Sequence, residues 1–294
     1  MRVLVLGGTG MLGHMVVDVL SRLDAVMVEG THRGAGGPEG LRFEADGSGG
    51  GLLELVRRRG GYDYVINCIG VLAADIDEQD SESVVRALRI NAEFPHALAK
   101  LAPAAGFRII HISTDGVFSG RAEEYGEDSP RDCPDVYGKT KALGEVLAPR
   151  CVTIRCSIVG PDPIRRRGLL EWFLSQPDGK QLTGFTDVIW NGVTTLQLAE
   201  LCGAIITRGC FDALWDESRV HHFCPNSAVS KYELLRVFQA VFRKKVEIVP
   251  SQKGMGSVRK VLVTRFEGLH RLVGHGLSME TAIGNLATYM ARSS

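Results

Sequence analysis

Residues 2–6, Arg-Val-Leu-Val-Leu, carry an apolar run without alternation, which predicts a strand buried on both faces. Glycines follow at once. Met11, Leu12, Met15, Val16, Val19, Leu20 and Leu23 then fall at helical spacing, predicting a helix over 11–23. The alternation continues: strands over 25–28 and, weakly, 41–45; a helix over 52–59; a strong strand over 62–69; one long helix over 81–105; and a strand over 108–113. A helix over 137–147 and a strand over 152–158 complete the first half. After Gly160-Pro161-Asp162-Pro163 the rhythm breaks. Residues 164–190 read as irregular, followed by a helix over 195–208, a strand over 220–223 and a helix over 230–244. That last helix opens with Ser230 and Glu233 in capping-box spacing.

Strands and helices alternating at these lengths predict an α/β fold with a Rossmann-like, doubly wound parallel sheet over residues 1–160. Residues 161–294 form a smaller, mixed C-terminal part for the substrate, with a return to the sheet expected around 188–224. The glycine-rich pieces 34–40 and 47–51 read as surface loops.

Composition narrows the function classes. The 294 residues hold 34 Lys+Arg and 34 Asp+Glu, a formal net charge of zero. This argues against nucleic acid or a membrane surface as a partner held by bulk charge. The opening apolar run is interrupted by four glycines, His14 and Asp18, so it reads as folded structure rather than as a leader or a span. Seven cysteines without a CxxC pair indicate neither a disulfide framework nor a metal site, and fit a reducing, cytoplasmic setting. Of the 35 glycines, 16 fall within residues 1–70, so the N-terminal region needs backbone free of side chains.

Gly7, Gly10 and Gly13 fit GxxGxxG between the first strand and the first helix. Gly7 suits the tight turn, Gly10 the approach of a pyrophosphate to the backbone, and Gly13 the packing of helix on strand. Gly7, Thr9, Gly10, Met11 and Leu12 are therefore candidate dinucleotide contacts. At the end of the second strand, Glu29 or Thr31 stands where an acid would favour NAD(H). Arg33 offers a cation for a 2′-phosphate, so NADP(H) is preferred and NAD(H) remains possible; a solvated loop arginine is the plainer reading.

Tyr137 and Lys141 are four residues apart and share a helix face. An ammonium there, aided by an oxidised nicotinamide ring, is expected to stabilise a phenolate and lower the tyrosine pKa, giving an acid–base catalyst. Ser113-Thr114-Asp115 closes the strand over 108–113, at the sheet edge where such folds place ligands. The Thr114 hydroxyl could bond the reacting carbonyl beside Tyr137. A strand-ending turn is the structural alternative.

Together, the Gly7–Gly13 loop, residues 113–120 (STDGVFSG), Tyr125 with Glu127-Asp128, and residues 137–145 (YGKTKALGE) resemble the extended short-chain dehydrogenase/reductases. The likeness is greatest to dTDP-4-dehydrorhamnose reductase and related nucleotide-sugar reductases, over residues 1–160. It implies the catalytic hydroxyl for Thr114, the acid–base role for Tyr137, the cofactor ribose for Lys141, and a proton relay supported by Asn91. It also implies cofactor contacts at Asp46, Cys68, Gly70 and Ser113. Gly116 stands where the rhamnose-forming enzymes carry a tyrosine, which leaves the substrate's identity open. Dehydratases of the superfamily follow Thr-Asp with Glu, so Gly116 argues against elimination. The implied activity is NAD(P)H-dependent reduction of a keto group on a nucleotide-linked sugar, with a homodimer compatible. An epimerase with tightly held NAD(P), or a non-catalytic subunit like that of methionine adenosyltransferase, stays open.

For the substrate, Asp115, Arg165 within Arg165-Arg166-Arg167, Trp190 and Asn191 are candidate contacts, and Arg155 is a further cation for a diphosphate. A solvated arginine face and a core tryptophan are the plainer readings. His221 and His222, adjacent on a strand, point to opposite faces and do not share a metal. His111 reads as a satisfied core residue.

Overall fold

In the computed structural model of the chain, which describes residues 1–34, 41–254, 258–274 and 276–293, strand β1 (Arg2–Leu6) is buried as its composition requires. Val3 and Val5 enter one core cluster and Leu4 and Leu6 the other, so one strand seeds the hydrophobic layers on both faces of the sheet. The first half continues with α1 (Met11–Ser21), β2 (Met27–His32), β3 (Leu41–Arg42), α2 (Gly50–Arg58), β4 (Tyr64–Asn67), α3 (Ser81–Ala87), α4 (Phe94–Ala105), β5 (Arg108–Thr114), α5 (Val136–Leu143), β6 (Cys151–Cys156) and β7 (Ile158–Val159).

The second half comprises α6 (Leu169–Leu174), β8 (Gln181–Phe185), β9 (Val188–Trp190), β10 (Val193–Thr194), α7 (Thr195–Thr207), α8 (Phe211–Glu217), β11 (Val220–His222), β12 (Val229–Ser230), α9 (Lys231–Phe242), β13 (Glu247–Ser251), β14 (Val258–Lys260), α10 (His270–Val273) and α11 (Met279–Ser293). The seven-stranded sheet has the order β11-β6-β5-β4-β1-β2-β3, and its pairs are parallel. Strand order therefore reverses between β1 and β4, which opens a crevice at their C-terminal ends. Strand β11 lies at the far edge of this sheet, beside β6.

Several elements depart from the sequence pattern. Strand β2 starts at Met27 and runs through the polar Glu29-Gly30-Thr31-His32. Gly30 explains why: a Cβ there would stand 2.9 Å from Val17 Cγ2, so the glycine lets α1 seat on the strand. The helix expected over 81–105 is interrupted by a six-residue π-helical segment, Leu88–Glu93. Residues 164–190, expected to be irregular, contain α6, β8 and β9. Their strands pair with partners far along the chain, β8 with β13 and β9 with β12 and β14, which local patterning does not reveal. The expected strand over 41–45 shrinks to two residues, and α5 stops at Leu143 rather than 147. A Cβ on the next residue, Gly144, would fall 1.9 Å from the Asn91 carbonyl oxygen, so the end of α5 is packed directly on the π-helical segment. Of the two expected glycine loops, residues 35–40 lie outside the described residues, while Gly50 and Gly51 open α2. The expected box at α9 is present: the Ser230 hydroxyl accepts from Glu233 N, and the Glu233 carboxylate accepts from Ser230 N.

Candidate active site

The glycine loop forms at the crevice. Gly7 has φ +78°, a left-handed conformation, and a Cβ on Gly13 would lie 2.1 Å from the Gly7 carbonyl oxygen. Gly7 N donates to the Thr31 hydroxyl at 2.9 Å, tying the loop to β2. Gly10 caps α1 without a side-chain hydrogen bond, and a Cβ there would meet only the Gly7 carbonyl, at 3.4 Å. The first amides of α1 thus face open space beside backbone that has no side chain. This suits a pyrophosphate, and Gly7, Thr9, Gly10, Met11 and Leu12 are the residues that would hold one. Cys68 follows β4 on the opposite lip, where a Cβ on Gly7 would be 3.5 Å from its carbonyl carbon and oxygen. Gly70 lies two residues on, with a Cβ position 3.4 Å from Asn91 Oδ1.

Beyond the end of β2 lies a cavity of about 1040 Å³, lined by Arg33, Glu44, Asp46, Arg86, Arg89 and Ile90 among others. Arg33 and Asp46, chosen from the sequence, thus share one cavity. The Asp46 carboxylate is turned onto Ser48, accepting from its amide at 2.9 Å and its hydroxyl at 2.8 Å, which holds its pKa below the usual value. Arg89 comes from the π-helical segment; its position in the cavity had no signal in the sequence.

Thr114 ends β5 and caps the 3-10 turn Asp115–Val117, its hydroxyl accepting from Gly116 N at 3.0 Å and donating to Asp115 Oδ1 at 3.2 Å. Across from it, Asp135 caps α5 by accepting from Gly138 N at 2.7 Å, which sets Tyr137 in the first turn. A Cβ on Gly138 would be 2.2 Å from the Gly116 carbonyl oxygen, so α5 rests directly on that 3-10 turn. A Cβ on Gly116 would stand 2.8 Å from Tyr137 Cε1 and 3.2 Å from Thr114 Oγ1. Both hydroxyl-bearing side chains therefore crowd the space over Gly116. Lys141, one turn further along α5, is buried and donates to the Ile112 carbonyl at 2.8 Å.

The electrostatics differ from the expectation that Lys141 depresses the Tyr137 phenol. Burial dominates and pushes Tyr137 up to about 12, with hydrogen bonding from Thr114 pulling the other way. Burial also brings Lys141 down to about 8, against the attraction of Glu145. Asp115, buried as well, is raised above the ordinary carboxylate value by burial, with Lys260 and Lys231 opposing the rise.

Asn91 is buried in the π-helical segment, and its side chain is fully engaged. Oδ1 accepts from Val71 N at 2.8 Å, while Nδ2 donates to the Val71 carbonyl at 3.0 Å and to the Thr140 hydroxyl at 3.2 Å. It pins the chain after β4 to α5. Ser113 points to the face opposite Thr114 and donates to Glu145 Oε1 at 2.8 Å.

Several substrate candidates have structural partners instead. Arg155 is 3% exposed and pairs bidentately with Glu145, Nε to Oε1 at 2.6 Å and Nη2 to Oε2 at 2.7 Å, so it is not free for a diphosphate. Asn191 holds Leu262 at both backbone groups, donating to its carbonyl at 2.8 Å and accepting from its amide at 2.9 Å. Arg165 lies 3.6 Å from Asp75, which also pairs with Arg167, so the arginine run is clasped to the loop after β4. Trp190 is buried in the core, with Lys231 Nζ 4.4 Å from its ring centroid. His221 donates through Nε2 to the Leu214 and Ser218 carbonyls, and His222 through Nδ1 to the Val263 carbonyl, so the pair has separate partners. His111 meets Asn67 Nδ2 at 3.1 Å through Nδ1, while its Nε2 has no partner among the described residues. It is thus only half satisfied. All seven cysteines are free, and among the described residues no helix is long and apolar enough to cross a membrane.

The RmlD substrate binding domain family matches this chain over residues 1–256. A dTDP-4-dehydrorhamnose reductase of Streptomyces griseus is 34% identical over 145 residues, 49% of this chain and 43% of that protein. The chain thus spans less than half the length of curated relatives that it matches. A solved dTDP-4-dehydrorhamnose reductase from Clostridium acetobutylicum ATCC 824 superimposes with TM-score 0.76 at 20% identity, covering 99% of this chain and 100% of that one. The enzyme of the same name from Bacillus anthracis str. Ames, solved in complex with NADP, gives 0.75 at 18% identity, covering 98% and 99%. At these identities the likeness is one of fold.

Proposed function

Because this chain belongs to the RmlD substrate binding domain family, we propose that it reduces the keto group of a nucleotide-linked 4-keto-6-deoxy sugar with NAD(P)H. The observation that carries this reading is the placing of Thr114 and Tyr137 together over Gly116, at the C-terminal edge of a parallel sheet that also bears the glycine cradle. Residues 1–160 are the nucleotide-binding part and residues 161–294 mainly the substrate part, with β11 returned to the sheet. The Arg33 guanidinium in the cavity beyond β2 favours NADPH over NADH.

Bound NAD(P)H supplies the hydride that the keto carbon receives. Thr114 donates to the keto oxygen and orients it. Tyr137, protonated throughout the neutral range because burial raises its phenol, gives its proton to that oxygen as the new hydroxyl forms. Lys141, charged below about pH 8 and held on the Ile112 carbonyl, lies one helical turn from Tyr137 and is available to a cofactor ribose. Asn91 keeps the strand end after β4 and the middle of α5 at fixed separation.

The test is turnover of dTDP-, UDP-, GDP- and CDP-linked 4-keto-6-deoxyhexoses with NADPH, read as loss of the reduced nicotinamide absorbance. One member of the panel is expected to consume NADPH mole for mole, and Tyr137→Phe to abolish this while still binding NADPH. Conversion without net consumption would identify an epimerase. Bound NADPH with no conversion across the panel would overturn the enzymatic reading in favour of a binding subunit.

A further inference from the structure

The mechanism leaves one half-buried cation unused. Lys231 is the first residue of α9, next to the capping Ser230, and its ammonium lies 4.4 Å from the centroid of the Trp190 indole. The small sheet β12-β9-β14 sets this arrangement. Val229 pairs with Trp190 on one side and Lys260 on the other, and the Lys231 ammonium reaches the indole from the start of α9. Both ammonium groups act on the buried Asp115 carboxylate, which immediately follows Thr114. Among the described residues no hydrogen bond or ion pair holds the Lys231 ammonium. A partly desolvated ammonium gains from an oxygen acceptor, because an indole face satisfies its charge but not its N–H groups.

We propose that Lys231 is a sugar-contacting residue of the active site, donating to a hydroxyl oxygen of the hexose held beside the Thr114–Tyr137 pair. The inference rests on the functional reading above and extends it to the recognition of the sugar. A hydroxyl is the group that fits between an ammonium and a carboxylate, since it accepts from the first and donates to the second. A diphosphate would meet Asp115 with like charge and belongs elsewhere along the site. The burial that brings Lys231 down to about 8 keeps it charged at neutral pH and means that water competes weakly for its protons.

The experiment is a calorimetric titration into the NADP⁺-saturated protein. The probes are the tightest binder among dTDP-, UDP-, GDP- and CDP-glucose, and the matching nucleoside diphosphate without sugar. Lys231→Met keeps the bulk over Trp190 and is expected to weaken the nucleotide sugar about tenfold or more, as the loss of a charged hydrogen bond does, while changing the nucleoside diphosphate by less than about twofold. Lys231→Arg retains donors and should keep the nucleotide sugar within about threefold. Thermal melting of each variant confirms folding. Equal affinity of wild type and Lys231→Met for the nucleotide sugar overturns the inference alone. An equal loss for both probes moves the ammonium to the diphosphate and overturns it too. A wild-type protein that holds NADP⁺ but binds none of the four nucleotide sugars overturns the functional reading and this inference together.

Discussion

Gly116 and Tyr137 share one space: a methyl group on residue 116 would stand 2.8 Å from the tyrosine Cε1, inside van der Waals contact. The same methyl position would stand 3.2 Å from Thr114 Oγ1, so the glycine leaves room for both hydroxyl-bearing groups. Gly116→Ala is expected to rotate the Tyr137 ring and lower turnover at least tenfold, about 1.4 kcal/mol of barrier, with NADPH affinity within about twofold of wild type. Steady-state rates and NADPH fluorescence titration check this. Wild-type turnover in Gly116→Ala would mean that the ring has room to yield.

The two glycines of the cofactor loop separate folding from binding. Gly10 is extended, with φ −83°, and a Cβ there touches only the Gly7 carbonyl at 3.4 Å, so Gly10→Ala should fold normally. It places a methyl group where a pyrophosphate would lie, and NADPH affinity should fall about tenfold or more. Gly13→Ala puts its methyl 2.1 Å from backbone and should lose roughly 1–3 kcal/mol of stability as well. Denaturant unfolding beside cofactor titration distinguishes the two. Equal melting of both variants would contradict the packing role of Gly13.

What the sequence reveals here depends on how far apart the interacting residues lie. The double burial of β1, the glycine loop and the Tyr137–Lys141 face are local patterns, and each is visible in a few consecutive residues. Arg155 read as a free cation because its partner, Glu145, lies across the turn between α5 and β6, and only folding brings them together. Strand β8 escaped notice because it pairs with β13, with β9 to β12 and the helices α7, α8 and α9 between them in sequence. The π-helical segment around Asn91 kept helical polarity, so nothing in its spacing marked the change of hydrogen bonding. Lys231, beside a capping serine, resembles a solvated helix start until β9 brings Trp190 beneath it.

The Glu145–Arg155 pair anchors β6 behind the catalytic edge. Glu145 is buried and also accepts from Ser113 at 2.8 Å and from Arg131 at 3.1 Å. Arg155→Met strands a buried carboxylate and should cost about 3–5 kcal/mol in urea unfolding. Arg155 and Ser113 hold the Glu145 pKa below its ordinary value despite burial. A depressed carboxyl contributes stability that is present above the unfolded pKa of about 4.5 and is lost as pH falls through the folded one. Wild type should therefore lose stability on acidification below about pH 4.5, and a charge-free Glu145→Gln/Arg155→Met double variant should lose less over the same interval. Parallel acid curves for the two proteins would remove Glu145 from this role.

Lys141 sets the alkaline side of the reaction. Burial lowers it to about 8, while Tyr137 is raised to about 12 and keeps its proton well beyond neutrality. As pH rises through 8 the ammonium becomes neutral, and the phenolate left by proton transfer loses a positive charge one helical turn away. The rate should then fall about tenfold per pH unit above that value, with the phenol still protonated. Lys141→Arg, which stays charged, should move this limb upward by more than one pH unit if the guanidinium can replace the ammonium at the Ile112 carbonyl. The measurement is the pH profile of kcat for both proteins at saturating NADPH. The stability of the unliganded protein should change in the opposite sense. A lysine with a depressed pKa destabilises the fold most below 8, and this penalty is relieved between about 8 and 10.5, where the unfolded chain binds the proton and the native one does not. A rate limb near 8 accompanied by rising stability over that interval assigns both to Lys141. A limb that stays in place in Lys141→Arg assigns it to another group.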